Sequence, residues 1–79
     1  MKVNVLLFAS YAEAFGAPTL GVTLPEGASV QDLLSTVRGM ASDRELPPAA
    51  VAVNQEYATP SQRLSVGDEV AIIPPVAGG

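Results

Sequence analysis

A chain of 79 residues makes one domain, and a domain this small buries only about 60–65% of the surface its unfolded form exposes. Cysteine and histidine are absent, which excludes disulfides, thiolate metal sites, a thiol nucleophile and an imidazole base, so an apolar fraction of 48% must supply the stability through a core. Four basic residues (Lys2, Arg38, Arg44 and Arg63) against eight acidic ones give a net charge of −4, the opposite of a nucleic-acid footprint. Surplus carboxylates of this kind keep a protein in solution or steer it toward a basic partner. Any demanding chemistry falls to that partner.

Residues 3–8, Val-Asn-Val-Leu-Leu-Phe, are apolar on both faces and predict a central strand covered on both sides. The same run after Lys2 superficially suggests a signal peptide. It is shorter than the roughly 7–15 residues of an h-region, Asn4 interrupts it, and no stretch of about 18 apolar residues follows to span a membrane. The expected location is the cytoplasm. A loop or short helical turn follows through residues 11–15 to Gly16. Residues 20–24 then alternate Leu20, Val22 and Leu24 with Gly21 and Thr23, a strand stopped by Pro25 and joined to the first as an antiparallel hairpin.

Ser29 followed three residues later by Asp32 predicts a capping box. Val30, Leu33, Leu34 and Val37 then recur at helical spacing and form one apolar face, with Gln31, Asp32, Ser35 and Thr36 turned outward. Arg38 suits the last turn and Gly39 is the expected terminator. A polar loop over residues 41–48 closes on Pro47-Pro48. Residues 49–54 form the third strand, Asn54-Gln55-Glu56 turns the chain back, and Tyr57-Ala58 makes a short edge strand. Gly67 permits the turn into a last strand over residues 70–73, halted by Pro74-Pro75. One helix is too few for both faces of a doubly wound sheet. Packed across one face of a mixed sheet with the terminal strands side by side, it gives an α+β, β-grasp domain over residues 1–73, followed by a flexible tail over residues 74–79.

That tail reads Pro74-Pro75-Val76-Ala77-Gly78-Gly79. Extended, it reaches about 20 Å, enough to enter a pocket on another protein. The prolines stiffen its base, and glycines present no side chain to a channel one backbone wide. A carboxylate at Gly79 is a poor electrophile until adenylation activates it; sulfur delivered there yields a thiocarboxylate. The alternative is a frayed terminus that happens to end in glycine. Other chemistry has little footing. The carboxylates are scattered, and the adjacent Asp68 and Glu69 would point opposite ways in a strand and read as a solvated turn. Ser10 and Ser61 lack a base nearby in sequence, the glycines miss phosphate-loop spacing, and Phe8, Tyr11, Phe15 and Tyr57 read as core or rim. No metal site is expected.

Val5-Leu6-Leu7-Phe8-Ala9, Ala52-Val53-Asn54-Gln55, Leu64 with Gly67-Asp68-Glu69-Val70-Ala71, and above all the Pro-Pro-Val-Ala-Gly-Gly end are similar to the small subunit of molybdopterin synthase, a ubiquitin-like sulfur carrier. The resemblance covers essentially the whole chain. The Gly-Gly end is shared across sulfur carriers, whereas Pro-Pro-Val is closer to the molybdopterin branch than to the thiamine branch. Ile72-Ile73 stands where that family has aromatic residues. The resemblance implies that an adenylating enzyme, using ATP and magnesium, activates Gly79, and that a sulfur donor converts it to the thiocarboxylate. The tail then enters the large subunit and gives its sulfur to cyclic pyranopterin monophosphate, in a heterotetramer of two small and two large subunits. By the same resemblance Gly79 would carry the sulfur, Gly78 would permit passage, and Ala77, Val76 and Pro75 would line the insertion path. Phe8 and Pro74 belong to the docking surface or to the core. On this resemblance the chain itself would be a sulfur-donating, non-catalytic subunit with no permanently bound cofactor. Carriers for thiamine thiazole, tRNA thiolation or cysteine synthesis, and a ubiquitin-like tag or binding module joined to lysines, are the alternatives.

Overall fold

Period-two alternation along the strands and a 3.6-residue apolar stripe on one helix converge on a single core. The computed structural model describes residues 1–41 and 45–74, in the order β1 (Lys2–Leu7), α1 (Ala9–Phe15), β2 (Thr19–Thr23), α2 (Val30–Met40), β3 (Ala50–Val53), β4 (Glu56–Tyr57) and β5 (Val70–Ile73). The five strands form one mixed sheet in the order β2-β1-β5-β3-β4. The two terminal strands lie parallel at its centre, with Val5 opposite Val70 and Leu7 opposite Ile72, and every other pairing is antiparallel. This is the arrangement expected from the element order.

The core gathers Val3, Val5 and Leu7 of β1, Val22 of β2, Val51 and Val53 of β3, and Val70 and Ile72 of β5 under Val30, Leu33 and Val37 of α2. Val5, Leu33, Val37, Val70 and Ile72 are fully enclosed. Each such side chain contributes about 1.5–3 kcal/mol by leaving water. Tyr11 is enclosed as well, and its hydroxyl donates to the Pro47 carbonyl at 2.6 Å, tying α1 to the loop before β3. That hydrogen bond lets a polar group sit in the core without penalty.

Both halves of the capping box form: Asp32 N–H donates to Ser29 Oγ at 3.2 Å, and Ser29 N–H donates to Asp32 Oδ2 at 3.0 Å. The amides of Val30 and Gln31 find the carbonyls of Gln62 and Pro60, so the start of α2 is also stitched to the segment before β5. The expected terminator is wrong. Gly39 lies inside α2, which runs to Met40 and is capped by Ala41. Buried Ala41 and the Arg38 guanidinium, which donates to the Leu46 carbonyl at 3.0 Å, set the end through tertiary contacts.

β1 also departs from expectation. It is covered on one face only: Lys2 and Asn4 are exposed and Leu6 is half-buried, while the alternate residues are enclosed. The core lies on one side of the sheet, so among the described residues the other face of this central strand stays open. Smaller shifts move β2 one residue earlier, trim β3 to Ala50–Val53 and place β4 at Glu56–Tyr57. Asn54 and Gln55 make the turn between β3 and β4, both at positive φ, and Gly67 takes φ +90° before β5. β5 ends at Ile73 and Pro74 is buried; residues 75–79 lie outside the described residues.

Candidate functional site

The open face of the sheet carries the site. Strand register places Leu6, Ala71, Ala52 and Tyr57 in one row across β1, β5, β3 and β4. Small alanines in the middle and larger residues at either end make a trough instead of a ridge. The depression has a volume of about 290 Å³ and is lined also by Phe8, Ile73, Gln55 and Glu69. Alternation explains its membership: Leu6 of β1 with Phe8 just after it, and Ala71 and Ile73 of β5 with Glu69 just before it, point away from the core.

The trough is chemically graded. Glu69 stands at the end where β5 begins, and Phe8 and Ile73 stand at the end where β5 finishes. Phe8 is 48% exposed and Tyr57 is 76% exposed, unusual exposures for aromatic side chains. Ala9, immediately after Phe8, takes φ +51°, so the chain leaves the open face abruptly to enter α1. Beneath the Glu69 end, Asn54 ties two turns together. Its Nδ2 donates to Asp68 Oδ1 at 3.0 Å, and its Oδ1 accepts from Glu69 N–H at 3.0 Å. Asp68 Oδ2 in turn accepts from Ser65 N–H at 2.7 Å. Asp68 and Glu69 thus form a hydrogen-bonded turn instead of an acid–base pair.

Of the site residues expected from sequence, Phe8 lies on the trough and Pro74 is buried at the end of β5. Pro75, Val76, Ala77, Gly78 and Gly79 all lie outside the described residues. The sequence reading missed the trough itself. The clue was the pairing of Leu6 with Phe8 and of Ala71 with Ile73 at period two, hidden by treating β1 as covered on both sides. Among the described residues, no group of three or more acidic side chains is placed to hold a metal ion, and no helix is long and apolar enough to cross a membrane.

A mixed sheet with parallel terminal strands, one principal helix on one face and an apolar trough on the other defines a ubiquitin-like β-grasp protein. The chain belongs to the ThiS family, whose family model matches residues 5–79. It is 40% identical over 83 residues to the molybdopterin synthase sulfur carrier subunit of Chlamydomonas reinhardtii, with all of both chains covered. It is also 40% identical over 81 residues to the molybdopterin synthase sulfur carrier subunit of Arabidopsis thaliana, covering 100% of this chain and 84% of the relative. Among solved structures, the small archaeal modifier protein 1 of Haloferax volcanii superimposes with a TM-score of 0.81 at 32% identity, covering 95% of this chain and 98% of that one.

Proposed function

We propose that this chain is a sulfur carrier for molybdopterin synthesis, with the Gly79 carboxylate as its working group. In the cycle, a cytoplasmic adenylating enzyme uses ATP and magnesium to join the Gly79 carboxylate to AMP, releasing pyrophosphate. A sulfur donor then displaces AMP, leaving a thiocarboxylate. The large subunit of molybdopterin synthase receives the tail and transfers its sulfur to cyclic pyranopterin monophosphate. Two small subunits serve a large-subunit dimer. Gly78 keeps the passage clear of side chains, and Ala77, Val76 and Pro75 lie along the channel wall.

The observation that carries this reading is the apolar trough, whose Phe8 and Ile73 end is where the chain leaves β5 for Pro74 and the glycine tail. A partner seated on the trough therefore sits beside the root of the tail. Full-length similarity to two sulfur carrier subunits supports the choice of pathway. The absence of Cys and His supports the division of labour, since a thiocarboxylate needs no acid–base residue on its own carrier.

Intact mass after incubation with ATP, an adenylating enzyme and a sulfur source tests the chemistry. One oxygen-to-sulfur exchange is expected, lost on deletion of Gly79 with the fold unchanged. Recovery of a thiazole synthase from extract, in place of the large subunit, would move the protein to another sulfur pathway. The similarity to an archaeal modifier protein favours a second reading as a protein tag. High-mass conjugates in the same incubation, without the sulfur exchange, would select it.

A further inference from the structure

A second depression, of about 530 Å³, lies away from the trough, between α2 and the outer edge of β3. Its floor is apolar: Val30 and Leu34 from the helix, Ala49 just before β3 and Val51 within it, and Ala58 and Pro60 from the segment after β4. Its rim carries Gln31, Ser35 and Arg38 on successive turns of α2. Among the described residues, none that lines it is acidic, although acidic residues outnumber basic ones eight to four in the chain. The guanidinium is held in place, since Arg38 Nη2 donates to the Leu46 carbonyl at 3.0 Å. A guanidinium has five N–H donors, and among the described residues only the Leu46 carbonyl takes one.

The strand edge beside this groove is only partly used. β4 pairs with β3 at Ala52 and Val53, and Ala58 N–H donates to the Val51 carbonyl at 2.9 Å. Backbone groups of Val51 therefore face away from β5, and by alternation so do those of Ala49. β4 extends no further along β3, and Ala49, just before β3, has no backbone hydrogen bond among the described residues, so its N–H and C=O are left for an added segment. Edge backbone next to an apolar groove is the arrangement that accepts an extended peptide by strand addition, with alternate side chains falling into the groove.

We infer that this groove binds an extended segment of a partner protein, aliphatic at alternate positions and carrying a carboxylate beside Arg38. The Ala49 N–H and C=O supply main-chain hydrogen bonds, half-buried Leu34 and the surface over enclosed Val51 receive the aliphatic side chains, and Arg38 selects the acidic end.

The probe is a blocked heptapeptide alternating valine and threonine and ending in two glutamates, titrated into the isotopically labelled full chain. Amide shifts are expected at Ala49, Ala50 and Val51 and along Gln31, Leu34, Ser35 and Arg38. Arg38→Glu should weaken binding by about tenfold or more, the scale of one lost charge-assisted pair, and should favour the same peptide ending in lysines. Ser35→Glu, at an exposed position that makes no core contact, should weaken it in the same direction and guards against misfolding of the first variant. Shifts confined to the trough around Phe8 and Tyr57, or equal affinity for the glutamate and lysine peptides, would overturn the assignment.

Discussion

Gln55 occupies a backbone conformation that side chains resist. It stands at φ +70° after Asn54 at φ +51°, a mirror-image two-residue turn joining Val53 to Glu56. Asn tolerates the first position, and here its amide also ties Asp68 to Glu69, whereas the second position favours glycine. Gln55→Gly should stabilise the fold by about 0.5–1 kcal/mol, the relief of strain exceeding the added freedom of the unfolded chain. A higher urea midpoint at unchanged slope would show it; a lower midpoint would mean that the Gln55 side chain contributes something at the trough rim. The dipeptide announced a turn in sequence. Which strand faces it joins, and that its side chain borders the trough, depend on the register with β5.

At the scale of the element, α2 shows how much of a helix local chemistry writes. Its start was readable because Ser29 and Asp32 bond each other's backbone within one turn, a local event. Its end was not, because Ala41 burial and the Arg38 link to Leu46 involve chain that the helix meets only after folding. Gly39 is therefore a helical glycine with nothing within 4 Å of where a Cβ would sit. Gly39→Ala should add about 0.5–1 kcal/mol, read as a raised thermal midpoint. The opposite end predicts a pH dependence. The Ser29 backbone N–H, then the Ser29 side chain, hold the Asp32 carboxyl below its ordinary value of 3.8. A lowered native value means that the unfolded chain takes up the proton first. The capping contribution is thus complete above pH 3.8 and is lost as pH falls through the native value. Asp32→Asn should remove that acid-side step from the stability profile; a step of the same size in both proteins would place its source elsewhere.

For the whole molecule, the deciding asymmetry is a sheet with one face sealed by α2 and the other open. Composition alone concealed it, because Leu6 and Phe8 are as apolar as Val5 and Leu7, and hydrophobicity does not say which face a single helix will take. Two substitutions separate the faces. Leu33 is fully enclosed, so Leu33→Ala should cost about 2–5 kcal/mol through the cavity it leaves, yet bind the large subunit normally under conditions where the variant remains folded. Phe8, half exposed at the tail end of the trough, can lose its ring without opening a core cavity. Phe8→Asp should leave the thermal midpoint nearly unchanged, since surface changes stay within about 0.5 kcal/mol. A buried carboxylate would then meet an apolar partner surface, and affinity for the large subunit should fall by about tenfold or more. Oxygen-to-sulfur exchange at Gly79, driven with the adenylating enzyme at saturating concentration, provides the control for an intact tail. A Phe8→Asp protein that loads sulfur and still binds the large subunit at full affinity would separate the tail from the trough and leave the trough to some other partner.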